Sequence, residues 1–151
     1  MFSRLAPLVA ALGLVAATCD RSRPPSRSSE QPAAVQVGRE FSLRPGEAVG
    51  LDAGRLQIRF ERVGGDSRCP VDVRCVWEGD AAVMVTVSGR DGRIPIELHT
   101  AGRLASPVSI DGFRLHLRRL EPVPRAHVKI EPGGYVAVFV VEQGGAVVAP
   151  P

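Results

Sequence analysis

The sequence predicts an all-β domain, an antiparallel β-sandwich or small barrel of about seven to nine strands. Three observations carry this reading. Apolar residues recur at every second position through most of the chain beyond Val35. Turn residues interrupt these runs at short intervals. No stretch shows the 3.6-residue period that a helix would impose.

The expected strands follow in order. Glu40–Leu43 and Ala48–Leu51 flank the turn sequence RPGE (Arg44–Glu47). In Arg55–Val63, Leu56, Ile58 and Phe60 fall on one face, while Gln57, Arg59 and Glu61 fall on the other. Val76–Ser88 reads as one strand, with Val83, Val85 and Val87 alternating against Met84 and Thr86. GRDGR (Gly89–Arg93) then signals a hairpin, because Asp-Gly suits the φ > 0 positions of a tight turn. Ile94–Thr100 should direct Ile94, Ile96 and Leu98 inward. Val108–Ile110 and Phe113–Glu121 flank a second Asp-Gly turn; Phe113, Leu115 and Leu117 alternate with Arg114, His116 and Arg118. His127–Ile130 is a short further candidate. Tyr135–Glu142 is apolar on both faces, as expected of a strand covered on both sides. Pro107, Pro122 and Pro124 break any helix in this half.

The N-terminal part does not belong to this domain. Arg4 precedes an uncharged apolar run, Leu5–Thr18, whose length as a helix would be about 21 Å, short of the roughly 30 Å hydrocarbon core. It reads as a secretory signal, residues 1–18. The run ends in AATC (Ala16–Cys19), which resembles the lipobox of bacterial lipoproteins; the resemblance implies lipidation of Cys19. Ordinary cleavage after Ala17 is the alternative, and would give a soluble secreted or periplasmic protein. Residues 19–34 are rich in Ser, Pro and Arg and too poor in apolar groups to fold, so they read as a flexible tether. The domain is expected over 35–143, and 144–151 should fray.

Charge points to no nucleic acid. The chain carries Lys+Arg 19 against Asp+Glu 16, but Arg4, Arg21, Arg23 and Arg27 precede Val35, with only Asp20 and Glu30 opposing them. The domain itself is close to neutral. A basic tether suits anionic lipid head groups.

Chemistry concentrates in DSRCPVDVRCVWEGDAAV (Asp66–Val83), which holds two of the three cysteines and the only tryptophan. With Cys19 lipidated, Cys69 and Cys75 remain as an even pair, and in an oxidising compartment a disulfide is the default. An extended segment would hold their Cα atoms about 20 Å apart, whereas a disulfide needs roughly 4.4–6.8 Å. Pro70–Arg74 must therefore turn back on itself. Asp66 is placed to accept a backbone N–H from Arg68 or Cys69. Trp77, on the same face as Cys75 if both lie in one strand, would pack on the sulfurs. The spacing does not match a Cys-x-x-Cys redox pair, and no further Cys or His lies near enough for zinc. Asp66, Asp72, Glu78 and Asp80 crowd together as calcium ligands do, but without EF-hand spacing and with Arg68 and Arg74 among them.

The same stretch resembles a motif of the form DSRCP, a few residues, then CxWxGxAxV, found in small uncharacterised bacterial exported proteins and lipoproteins. Stretches like FSLRPGEAV (Phe41–Val49) and LEPVP (Leu120–Pro124) accompany it there as here. The resemblance implies an exported β-domain with a structural disulfide, and brings no activity with it.

No nucleophile motif, phosphate loop or aromatic stacking platform is present, so the chain is read as a non-enzyme without cofactor. The leading expectation is a membrane-anchored envelope protein with a binding or structural role. Its candidate binding loop comprises Asp66, Arg68, Asp72, Arg74, Trp77, Glu78 and Asp80, with a protein or small ligand as partner. That reading requires Arg68, Asp72, Arg74 and Glu78 to face solvent rather than the core or one another. A periplasmic copper-, zinc- or calcium-binding protein using His99, His116, His127 or the carboxylates is the alternative, and a hydrolase inhibitor a third. No residue is assigned as a metal ligand.

Overall fold

The computed structural model describes residues 32–90 and 92–144. The signal, Cys19 and nearly all of the tether lie outside them, as do residues 145–151. Nine strands are present among the described residues: β1 Ala33–Ala34, β2 Glu40–Leu43, β3 Ala48–Leu51, β4 Leu56–Asp66, β5 Ala81–Gly89, β6 Gly92–His99, β7 Val108–Ile110, β8 Phe113–Glu121 and β9 Val136–Gln143. They form two sheets, β1-β3-β4-β5-β6 and β2-β9-β8-β7, antiparallel except for the short parallel pair β1–β3. No helix among these residues is long and apolar enough to cross a membrane.

The period-two pattern becomes the core between the sheets. Leu56, Ile58 and Phe60 of β4, Val83, Val85 and Val87 of β5, and Leu115 of β8 are buried against Ala137, Phe139 and Val141 of β9. Phe139 packs edge-on to Phe60, with ring centroids 6.3 Å apart, and tilted against Phe41 at 5.7 Å. In β9, which lies between β2 and β8, the alternate residues Val138 and Val140 are buried as well.

Alternation alone would turn two apolar residues outward, and bulges correct the phase. Phe60 and Val63 are three residues apart, yet both meet the core, because the β4–β5 register shifts between Phe60 and Arg62. Likewise Leu117 and Leu120 both pack inward across a shift between Leu117 and Arg119. Each bulge adds one residue to one strand and so reverses the facing of everything beyond it.

Turns behave as their chemistry demands. Ile110 pairs with Phe113 around Asp111 (φ 44) and Gly112 (φ 79), both left-handed, as the favoured two-residue hairpin requires. Gly89 pairs with Gly92 at the other hairpin.

Five expectations are corrected. Val76–Asp80 is not strand; β5 begins at Ala81, because the chain must first return from Cys75 and passes through Gly79 in the left-handed region. His127–Ile130 is not strand either: His127 has φ 62 and Val128 N–H donates to Arg125 O, making a turn with no partner strand. Ile94 is more than half exposed, although Ile96 and Leu98 are buried in the same phase. Ala33 and Ala34, assigned to the tether, bridge to Val49 and Gly50 of β3. Gly144, assigned to the fraying tail, is fixed by its N–H to Gly112 O at 2.7 Å.

Candidate functional site

The cysteine segment forms a closed loop between β4 and β5. At its base Ser67 N–H donates to Asp80 O at 2.7 Å, and Cys69 N–H donates to Glu78 O at 3.0 Å. Ser67 Oγ adds a bond to Asp80 O at 2.9 Å and accepts Asp80 N–H at 3.2 Å. Cys69 and Cys75 are joined by a disulfide with Cα atoms 6.0 Å apart, inside the window that the turned-back segment was expected to satisfy. Val73 N–H donates to Pro70 O and makes that turn. We expect Cys75→Ser to lower the unfolding free energy by roughly 2–2.5 kcal/mol, the chain-entropy value for so short a loop. It should also abolish the response of the thermal melt to reductant; a melt unchanged by the substitution would refute a stabilising role.

Asp66 and Arg68 hold the loop to the opposite sheet. The guanidinium meets the carboxylate side-on through two bonds, Nε to Oδ1 at 2.8 Å and Nη2 to Oδ2 at 2.7 Å. Arg68 N–H also donates to Oδ1 at 3.2 Å, the anticipated Asx turn. Two further guanidinium N–H groups donate to Leu120 O and, at 3.0 Å, Pro122 O, where a cis peptide joins Glu121 to Pro122. Tyr135 O–H donates to Asp66 Oδ2 at 3.3 Å. Both charged side chains are nearly buried. Burial pushes the Asp66 carboxyl upward, but the Arg68 bonds and charge and the Tyr135 hydroxyl outweigh it and leave the group below its ordinary value. The Tyr135 phenol is pushed up, first by burial and then by the Asp66 charge.

Asp80 organises the far end of β6. Its Oδ1 accepts Thr100 N–H at 3.0 Å and Ala101 N–H at 2.9 Å, and its Oδ2 lies 2.6 Å from His99 Nδ1. Here too burial raises the carboxyl, and the Ala101 N–H and His99 bring it below the usual value. Asp72 accepts Ala126 N–H at 2.8 Å, while Val71 N–H donates to Pro124 O at 3.0 Å, so the disulfide loop rests on Pro124–Ala126.

The polar residues of the candidate loop thus divide. Asp66, Arg68 and Asp80 are occupied with the protein itself, which removes them as a recognition set, whereas Asp72 is exposed and holds Ala126 N–H through one oxygen. Arg74 and Glu78 are exposed and make no ion pair among the described residues. Trp77 is corrected most sharply: expected to pack on the sulfurs, it is 75% exposed. Val76 beside it is 88% exposed, and Val71, Val73, Val123 and Val128 of the same two loops are also exposed. The candidate loop as read from the sequence leaves these valines out. Their signal was available, since Val71, Val73 and Val76 lie in a stretch too tightly closed to turn them into a core.

The histidines do not converge. His99 is held by Asp80, His116 Nε2 lies 3.3 Å from Glu142 Oε2 but off line for a hydrogen bond, and His127 occupies a turn. Among the described residues, no three His, Cys, Asp or Glu side chains stand where they could hold one metal ion. Comparison with known protein families, with curated proteins and with solved structures finds no match for this chain.

Proposed function

We propose that the chain is a non-enzymatic, lipid-anchored envelope protein of the exported family its cysteine motif resembles. It binds a protein partner through the apolar tip of the disulfide loop. One observation carries the binding part: a loop fixed by a disulfide, a nearly buried ion pair and two carboxylate caps nevertheless holds Val76 and Trp77 out in solvent. Rigidity removes most of the ordering entropy that an aromatic anchor would otherwise lose on binding. Tryptophan is also the residue most enriched at the energetic centre of protein interfaces. The rim favours a protein over a bilayer, because Arg74 and Glu78 carry opposite charges, whereas a lipid surface selects cations around the inserted group.

The test uses a photoreactive amino acid at position 76 and, as control, at position 93 on the β6 edge, in cells of the source. A discrete protein adduct from 76 that disappears in the Trp77→Ser background is expected. Trp77→Ser itself should change stability by no more than about 0.5 kcal/mol, as for an exposed side chain. Adducts only to lipid, or equal adducts at 76 and 93, would overturn the protein-binding reading. The anchor is tested separately: Cys19→Ala should move the protein from the membrane to the soluble fraction, and retention in the membrane would exclude lipidation as the anchor.

A further inference from the structure

At the end of the sandwich opposite the disulfide loop, β6 and β7 are the edge strands of the two facing sheets. β7 is only three residues long, so it leaves the start of β6 uncovered. This is why Ile94 is 53% exposed although its phase points inward. A cleft of about 150 Å³ opens there, walled by Leu56, Val87, Ile94, Ile96 and Ile110. It continues into an outer cleft of about 270 Å³ bounded by Asp52, Arg55, Leu56, Arg90 and Asp111. Leu56, Arg90 and Asp111 line both, which makes them the passage between an apolar chamber and a charged mouth. Gly89 keeps this passage in shape: a Cβ there would stand 2.7 Å from Leu56 Cδ2.

The charges at the mouth are arranged in an informative way. Arg55 donates to the Asp52 carboxylate, so that pair is neutralised. Arg90 and Asp111 pair neither with each other nor with any other charged group among the described residues. Among the described residues the rim therefore offers one unpaired cation and one unpaired anion beside an apolar chamber. A ligand with a single charge would be attracted by one and repelled by the other, while a dipolar head group satisfies both. An apolar cavity near 150 Å³ takes a benzene-sized group.

We propose that this cleft binds a small zwitterion bearing one apolar group, the chemical class of free apolar α-amino acids. The apolar group enters the inner chamber, the carboxylate lies on the Arg90 guanidinium and the ammonium on the Asp111 carboxylate.

Calorimetric titration of the purified mature protein with L-phenylalanine, 3-phenylpropionate and phenethylamine tests this. Saturable binding of L-phenylalanine is expected, with each singly charged analogue weaker by about tenfold or more, the loss that follows when one charged hydrogen-bond partner is missing. Arg90→Gln should erase the advantage of L-phenylalanine over phenethylamine. Asp111→Asn should erase its advantage over 3-phenylpropionate, and asparagine tolerates the left-handed φ of that turn. Thermal melts of both variants should match the parent. The proposal is overturned if none of the three compounds binds saturably, if the analogues bind as tightly as L-phenylalanine, or if neither variant changes the ranking.

Discussion

Replacing Arg68 by alanine is expected to remove about 3–5 kcal/mol of unfolding free energy, the penalty for breaking a buried pair from one side. That is a large share of the roughly 5–15 kcal/mol that stabilises a domain of ordinary size. The loss has three sources in one side chain. The Asp66 carboxylate keeps only the Tyr135 hydroxyl and one backbone N–H in a nearly buried position. Leu120 O and Pro122 O lose their donor. The loop base loses its link to the sheet that contains β8. Urea melts of Arg68→Ala, Asp66→Asn and the double variant would measure it. The cycle should give a coupling of more than about 1 kcal/mol, because the double variant no longer buries an unpaired charge. A single-variant effect within the 0.5 kcal/mol typical of surface changes would mean that the pair is solvated and adds nothing.

The pH dependence of the same pair has a predictable sign. Asp66 is held below its ordinary value of 3.8, so its contribution is fully present above that value and is lost as pH falls through the lower folded value. Arg68→Ala removes the guanidinium bonds and charge, so burial, which raises a carboxyl, is opposed only by the backbone N–H of residue 68 and the Tyr135 hydroxyl. The folded value in the variant then lies above that of the parent, so this site loses less stability on acidification than it does in the parent. The difference in stability between parent and variant should therefore shrink as pH is lowered towards 3. Other carboxylates, Asp80 among them, titrate alike in both proteins and cancel from the difference. A gap that stays constant with pH would place the Arg68 effect in packing rather than in charge.

What could be read in the sequence followed from local periodicity. Leu56, Ile58 and Phe60, or Val83, Val85 and Val87, need only a half-covered strand to explain them, and the structure supplies it. The Asp111-Gly112 turn needs only left-handed dihedrals. Errors arose where tertiary geometry overrides a local pattern. Val76 and Trp77 are strong β-formers adjoining a real strand, yet the disulfide fixes where the chain must return from and Gly79 bends it before β5 can begin. Ile94 alternates correctly, but its partner sheet ends too soon, and so the cleft had no local signature. In the loop, the type of interaction was legible and the partners were not. Asp66 and Arg68 are two residues apart, whereas the carbonyls that complete Arg68 lie far along the chain, at Leu120 and Pro122.

Gly79→Ala is the substitution expected to distinguish a merely unusual backbone from a close approach of two chains. Gly79 has φ 69, and a Cβ added there would meet Ser67 O at 1.9 Å and Arg68 Cα at 2.8 Å. These are backbone atoms, so no rotamer change relieves the contact. Ser67 and Arg68 would have to withdraw, which pulls apart the Ser67–Asp80 and Cys69–Glu78 bonds and moves the Arg68 guanidinium off Asp66. Left-handed strain of about 1 kcal/mol and an overpacking term of about 1–3 kcal/mol combine to a loss near 3 kcal/mol. Gly112→Ala is the internal control. It too is left-handed, at φ 79, but nothing lies within 4 Å of its Cβ, so strain alone should act and the loss should stay near 1 kcal/mol. Equal losses at the two positions would show that Ser67 does not press on Gly79. A larger loss at Gly79 would give a physical reason for a glycine at this position: the segment entering β5 lies against the backbone of Ser67 and Arg68 as the chain leaves β4, with no room for a Cβ.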